Sequence, residues 1–251
     1  MIDLRGKCAL VTGGSRGIGA ATVRLLAESG ADVVLGYHSR RDDAERVAAE
    51  ARRWGVRSAA VASDIATSEG ADGLVAAAVR ELGALDLFVG NAGIWPVDVE
   101  DVTAISDARW RRTMAQNVDS MFYTTRAAAR VLRDHGRIVL VASTAGQRGE
   151  AYHSDYGASK GAMIAFVKSL APELARRDIT VNSVAPGWVD TEMCDIPYAD
   201  GGKERIAATI PLGRVADARD IAGPIVFLCS SLARHITGEI MNVNGGSVLC
   251  G

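Results

Sequence analysis

The stretch Cys8-Ala9-Leu10-Val11-Thr12-Gly13-Gly14-Ser15-Arg16-Gly17-Ile18-Gly19-Ala20 decides the fold of this 251-residue chain. Cys8 to Thr12 is an apolar run of strand length, a glycine-rich turn follows, and helical periodicity sets in with Ile18, Val23, Leu25 and Leu26. Glycine tolerates positive φ and lets a ligand approach the backbone. The free N–H groups and dipole of the helix start attract an anion such as a pyrophosphate. The spacing is G-x-x-x-G-x-G, not the G-x-G-x-x-G of the standard dinucleotide fingerprint. What marks it as a nucleotide loop is its position, between a strand and a helix at the head of an alternating chain.

Outward from that loop the alternation continues. Cys8 to Thr12, Asp32 to Tyr37, Arg57 to Ser63, Leu85 to Gly90, Arg137 to Ala142, Ile179 to Ala185 and Glu239 to Val243 read as strands. Gly17 to Ser29, Arg41 to Trp54, Ala71 to Leu82, Asp107 to Arg133 and Tyr152 to Arg176 carry apolar residues at three- and four-residue spacing and read as helices. Strands covered by helices on both faces are parallel, and right-handed crossovers then give an α/β, doubly wound, seven-stranded Rossmann sheet. No linker or repeat breaks the pattern, so residues 1–251 form a single domain. The period lapses from about 187 to 212, where Gly187, Pro197, Gly201, Gly202 and Pro211 lie; this reads as a substrate lid, the competing reading being an irregular surface excursion with one short helix around Lys203 to Ile210.

Composition narrows the function. A formal net charge of −2 and a pI near 6.1, with acids and bases interleaved, leave no basic stripe for a nucleic acid. The start of the chain passes straight into a strand and no apolar run reaches membrane-spanning length, so neither a signal peptide nor a membrane partner is expected and the chain reads as cytoplasmic. Cys8, Cys194, Cys229 and Cys250 are scattered, and the four histidines never fall at ligand spacing, so neither a disulfide nor a metal site is expected.

Chemistry enters with Ser154-Asp155-Tyr156-Gly157-Ala158-Ser159-Lys160 at the start of a long helix. Tyr156 and Lys160, four apart, share a helix face. At about 5 Å and an effective dielectric near 20, the lysine charge favours the phenolate by roughly 3 kcal/mol and so lowers the tyrosine pKa towards neutrality. Such a phenol exchanges the proton that a carbonyl reduction requires. Ser143 follows the strand Arg137 to Ala142, where open α/β sheets place their ligands, and its hydroxyl can hold the substrate oxygen. Tyr152 lies too far from Lys160 to couple and is taken as a wall of the substrate site or a packing residue.

These residues together resemble the short-chain dehydrogenase/reductase family over essentially the whole chain. The resemblance rests on Thr12-Gly13-x-x-x-Gly17-x-Gly19, Asp64 after the third strand, Asn91-Ala92-Gly93 after the fourth, Asn117, Ser143, Tyr156-x-x-x-Lys160 and Pro186-Gly187. It implies catalysis by Asn117, Ser143, Tyr156 and Lys160, with Asn117 holding a relay water and Lys160 also gripping the nicotinamide ribose. It implies cofactor contacts from Gly13, Ser15, Arg16, Gly17, Ile18 and Gly19, then from Asp64 and Ile65 beside the adenine, and from Asn91, Ala92 and Gly93. Pro186, Gly187, Val189 and Thr191 complete the set on the nicotinamide side. Gly90 stands where the family usually has a second asparagine, and local loosening is expected there.

An acid at the end of the second strand would bind the ribose 2′-hydroxyl of NAD and repel a 2′-phosphate. Here Tyr37 takes that position, and Arg16 with Ser39 or Arg40 can supply charge-assisted contacts to a phosphate, so NADP(H) is the expected cofactor. Within the family the chain is most similar to the 3-oxoacyl-[acyl-carrier-protein] reductases, through Gly36-Tyr37-His38-Ser39-Arg40 and His135-Gly136-Arg137-Ile138-Val139. Those enzymes dock an acidic acyl carrier protein through surface arginines; Arg177 matches one such position, while Asp134, beside Arg133, stands at the other. The resemblance thus implies a ketone substrate, either a small molecule or an acyl thioester, and leaves open sugar, steroid and biosynthetic ketones. A non-catalytic NADP(H)-sensing protein on the same fold is the competing reading. The apolar tail Ser247 to Gly251 and the family's helix interfaces imply a homotetramer.

Overall fold

The structure, a computed structural model, describes residues 2–249. Among them β1 (Cys8–Thr12), β2 (Asp32–Tyr37), β3 (Ser58–Ala62), β4 (Leu87–Gly90), β5 (Arg137–Val141), β6 (Thr180–Pro186) and β7 (Ile240–Val243) form one parallel sheet of seven strands, in the order β3-β2-β1-β4-β5-β6-β7. The helices between them are α1 (Gly17–Glu28), α2 (Arg41–Arg52), α3 (Ser68–Leu82), α4 (Asp107–Met114), α5 (Ser120–Val131), α6 (Thr144–Arg148) and α7 (Ser154–Leu174). After β6 come α8 (Asp195–Tyr198), α9 (Gly202–Ala207) and α10 (Ala218–Cys229). The doubly wound sheet predicted from the alternation is therefore the fold, with strand ends shifted by a residue or two.

Its core is two layers, one on each face, because successive strand residues point in opposite directions. Ala9 and Val11 of β1, with Val139 and Val141 of β5, pack beneath Val23 and Leu26 of α1, Val47 of α2 and Ile221 and Ile225 of α10. Cys8 and Leu10, with Ile138 and Leu140, face Leu74 of α3, Met121 of α5 and Met163 and Val167 of α7. Both β1 and β5 are buried along their whole length, which is why they read as unbroken apolar runs rather than alternating ones.

The order reverses between β1 and β4: the chain winds outward through β2 and β3, then crosses back to pair β4 with the other side of β1. Loops leaving β1 and β4 part company there and open a crevice at the carboxyl edge of the sheet. The predicted site segments that follow β1 to β6 leave their strands at that edge, while Asn117 comes from the helical turn before α5 and Tyr156 and Lys160 from α7.

Three local expectations are corrected. The helix expected over Asp107 to Arg133 is broken by a wider π-helical turn, Ala115–Asp119, between α4 and α5; the apolar period runs through it because one extra residue barely disturbs the phase. The irregular stretch 187–212 carries a 3₁₀ turn at Glu192–Cys194 as well as α8 and α9, rather than one short helix. Loosening at Gly90 does not occur, because a Cβ there would lie 2.6 Å from Leu140 Cδ2: the leucine fills the space. Of the tail, Cys250 and Gly251 lie outside the described residues, and Ser247 and Val248 face the crevice. No helix among the described residues is long and apolar enough to cross a membrane.

Candidate active site

The crevice is a cleft of about 690 Å³ running from Tyr37, Ser39 and Arg40 at one end to Ser143, Tyr156 and Lys160 at the other. Of the residues predicted for the site, all line it except Gly19 and Asn117, which support it from behind. Gly13 and Gly17 have φ of +64° and +52°, conformations that other residues rarely adopt. A Cβ on Gly19 would sit 2.2 Å from the Gly13 carbonyl, so α1 can approach the turn this closely only with glycine there. No side chain caps the start of α1 at Arg16, which leaves its first N–H groups aimed into the cleft. Asn91 pins the loop, its Nδ2 donating to the carbonyls of Thr12 (3.0 Å) and Gly13 (3.2 Å), while Thr12 Oγ1 accepts from the N–H groups of Asn91 and Ala92. This cradle fits a dinucleotide pyrophosphate, on the evidence of its glycine geometry and open donors.

At the Tyr37 end the sequence reading placed Arg16 and Arg40 together, and they do converge, on a residue it did not foresee. Glu192 of the lid accepts from Arg16 at 2.5 Å and from Arg40 at 3.2 Å. Asp64 lies on the cleft wall beside Ile65 and turns its own loop, Oδ1 accepting from Ala66 N at 3.1 Å.

At the other end, Ser143 caps α6, its Oγ accepting from Ala145 N at 3.1 Å, and it lines the cleft together with Tyr156, whose ionisation the serine hydroxyl favours. Lys160, one turn along α7, donates to the Val141 carbonyl at 2.8 Å and has Nζ 5.8 Å from the centre of the Tyr156 ring. Asn117 is fully buried inside the π-helical turn: Oδ1 accepts from Ile94 N at 2.7 Å, and Nδ2 donates to Ile94 O and to Ser159 Oγ. A Cβ on Gly93 would lie 3.0 Å from Asn117 Oδ1 and 3.6 Å from Lys160 Nζ, so asparagine and lysine flank one point behind the tyrosine.

The expected lowering of the tyrosine pKa is overturned. Burial pushes the Tyr156 phenol above its ordinary value; the Ser143 hydroxyl only partly offsets this, and the Glu150 charge adds to it. Burial likewise pushes Lys160 down, from 10.5 to about 8. Coulomb attraction along the helix face favours the phenolate, but desolvation of both charged forms is the larger effect once the pair is enclosed. The phenol therefore keeps its proton at neutral pH.

Two further groups were missed. Trp95 and Trp188 line the cleft beside Tyr156, edge to face at 6.2 Å, with Tyr198 of the lid 6.0 Å from Trp188; Trp95 Nε1 donates to Glu150 at 3.1 Å. Asp155, wholly buried next to Tyr156, accepts from Arg109 Nε (3.1 Å) and Nη2 (3.2 Å) and from Thr113 Oγ1 (2.8 Å). Its burial opposes ionisation, but these donors hold its pKa below the ordinary value. An acid in the first turn of a long helix was the available signal; its partner lies 46 residues away. Tyr152, by contrast, is 57% exposed and off the cleft, so it is neither a wall nor a packing residue.

Comparison with known proteins agrees with this geometry. The family model described as enoyl-(acyl carrier protein) reductase matches residues 13–247. The chain is 37% identical, over 98% of itself and 98% of the relative, to a 3-oxoacyl-[acyl-carrier-protein] reductase from Vibrio cholerae. It is similar in structure to a short-chain dehydrogenase/reductase from Serratia marcescens, with 37% identity, a TM-score of 0.92 and coverage of 97% and 98% of the two chains. A short chain dehydrogenase from Burkholderia cenocepacia, solved in complex with NADP, gives 36% identity, a TM-score of 0.90 and coverage of 97% and 98%.

Proposed function

Because the chain belongs to the short-chain dehydrogenase/reductase family, we propose that it is an NADP(H)-dependent oxidoreductase that interconverts a ketone and a secondary alcohol. The observation that carries this reading is the convergence of Ser143, Tyr156 and Lys160, with Lys160 Nζ 5.8 Å from the centre of the Tyr156 ring, at the far end of the cleft that begins in the glycine loop. NADP(H) is supported by the absence of an acid at the end of β2, by Arg16 and Arg40 on the cleft wall, and by the NADP complex of the Burkholderia relative.

The bound cofactor supplies a hydride to the carbonyl carbon. Ser143 holds the carbonyl oxygen and polarises it. Tyr156 gives its hydroxyl proton to that oxygen as negative charge develops, which a neutral phenol does readily. Lys160 stands behind Tyr156, where it returns a proton to the phenol and would grip the cofactor ribose, and Asn117 would hold the water that links Lys160 to solvent. Trp95 and Trp188, with Tyr198 packed against Trp188, form an apolar wall suited to a compact ketone.

A carrier-bound 3-oxoacyl thioester, the substrate in the name of the Vibrio relative, is the second reading. It is favoured by that identity alone, and the surface opposes it. Arg177 is engaged by Asp134 and by the carbonyls of Ala129 and Leu132, and Arg133 by Asp86, so neither stands free for an acidic carrier. Exposed Trp110, Phe122 and Val131 on the helices around the π-helical turn support self-association, which we take to be the family's homotetramer.

The test is NADPH oxidation by purified enzyme with a panel of free ketones and 3-oxoacyl thioesters, run alongside Tyr156→Phe. We expect turnover of small ketones, loss of at least a thousandfold in kcat for the variant, and cofactor Kd within twofold of wild type. NADPH binding without turnover of any substrate favours the sensor reading, and preference for the thioesters favours the carrier one.

A further inference from the structure

The lid carboxylate of Glu192 rests where a phosphate monoester would be held. Arg16 reaches it from the loop after β1 and Arg40 from the start of α2, while Glu192 itself follows β6, at sequence separations of 176 and 152 residues. Three distant segments thus converge on a single carboxylate oxygen. The other carboxylate paired with either guanidinium among the described residues is Asp43, 3.7 Å from Arg40. Arg16, Arg40 and Glu192 side chains are each about half exposed, so the pairs are reversible and water reaches them.

A cofactor 2′-phosphate and the Glu192 carboxylate need the same two guanidiniums, and both are anionic. They cannot be satisfied together without like charges in contact. A cofactor with a bare 2′-hydroxyl meets no such conflict, since it leaves the ion pairs intact. We infer that Glu192 is a specificity-determining residue: it competes with the 2′-phosphate for Arg16 and Arg40, and so restrains the preference of this protein for NADP(H) over NAD(H). This rests on the reading of Arg16 and Arg40 as the phosphate-holding pair.

Calorimetric binding of 2′,5′-ADP and 5′-AMP, which differ only in the phosphate at issue, tests it on the full-length protein. Glu192→Gln keeps the shape and removes the charge; Glu192→Ala is the second variant. Both are expected to bind 2′,5′-ADP roughly three- to tenfold more tightly than wild type, as loss of two half-exposed competing pairs implies, with 5′-AMP unchanged within twofold. Unchanged or weaker 2′,5′-ADP binding overturns the inference; weaker binding means that Glu192 orients the arginines for the phosphate. Arg16→Ala separates the two levels of the argument. If wild type prefers 2′,5′-ADP and Arg16→Ala loses that preference, the phosphate seat stands whatever Glu192 does. If neither wild type nor Glu192→Gln prefers 2′,5′-ADP over 5′-AMP, the seat itself is wrong.

Discussion

Replacing Lys160 by methionine should destroy catalysis and stabilise the protein, and the size of the second effect follows from the site. Lys160 is 5% exposed, and burial takes its pKa from 10.5 to about 8. Each unit of that difference is worth about 1.4 kcal/mol, so the native state carries a burden of roughly 3 kcal/mol for holding the charge. Methionine of similar length removes the charge but leaves the Val141 carbonyl without its 2.8 Å donor, a loss of about 1 kcal/mol. Lys160→Met should therefore be more stable by roughly 2 kcal/mol near neutral pH. The sign of the pH dependence is specific. Below about 8 the lysine is charged in both states and the full burden is present; between about 8 and 10.5 only the unfolded state is charged, so wild type gains stability with rising pH; above 10.5 the burden is gone. Urea unfolding of both proteins at several pH values should show a gap that is constant up to about pH 8 and then closes. A variant less stable than wild type at neutral pH, or a gap that ignores pH, would refute the claim that desolvation dominates this residue.

Asp155→Ala takes the carboxylate acceptor from Arg109 Nε and Nη2 and from Thr113 Oγ1 but leaves Arg109 paired with Glu100 at 3.0 Å and with the Asp98 carbonyl at 2.8 Å, so it should cost about 1 to 3 kcal/mol in denaturant unfolding. The same carboxylate sets an acid limit: with its pKa below 3.8, its stabilisation is complete above the unfolded value and is lost as pH falls through the native one, so Asp155→Asn should flatten the acid limb of a stability profile. Gly19→Ala puts a methyl 2.2 Å from Gly13 O and 2.6 Å from Asn91 Nδ2, and should weaken NADPH binding by tenfold or more in a fluorescence titration, because the phosphate turn must open to admit it. A near-native Kd would show that the turn has slack the geometry does not reveal.

The fold was legible because its signal is local and repeated. Strands buried on both faces must be apolar throughout, helices must present an apolar stripe, and the glycine turn between β1 and α1 is dictated by backbone geometry within a few residues. The pairing of Tyr156 with Lys160 was legible for the same reason, since both ride one helix. What the tertiary structure alone decided has no period to read. Arg109 and Asp155, or Arg16 and Glu192, come from segments 46 and 176 residues apart, and nothing in either segment announces the other. Leu140 closing over Gly90, and the π-helical turn that swings Asn117 onto the Ile94 backbone, are equally matters of packing. The protonation of the site belongs with them. Spacing along α7 brought a charge near a phenol, but only the depth of burial reveals that taking both groups out of water outweighs their attraction and leaves the tyrosine a neutral acid.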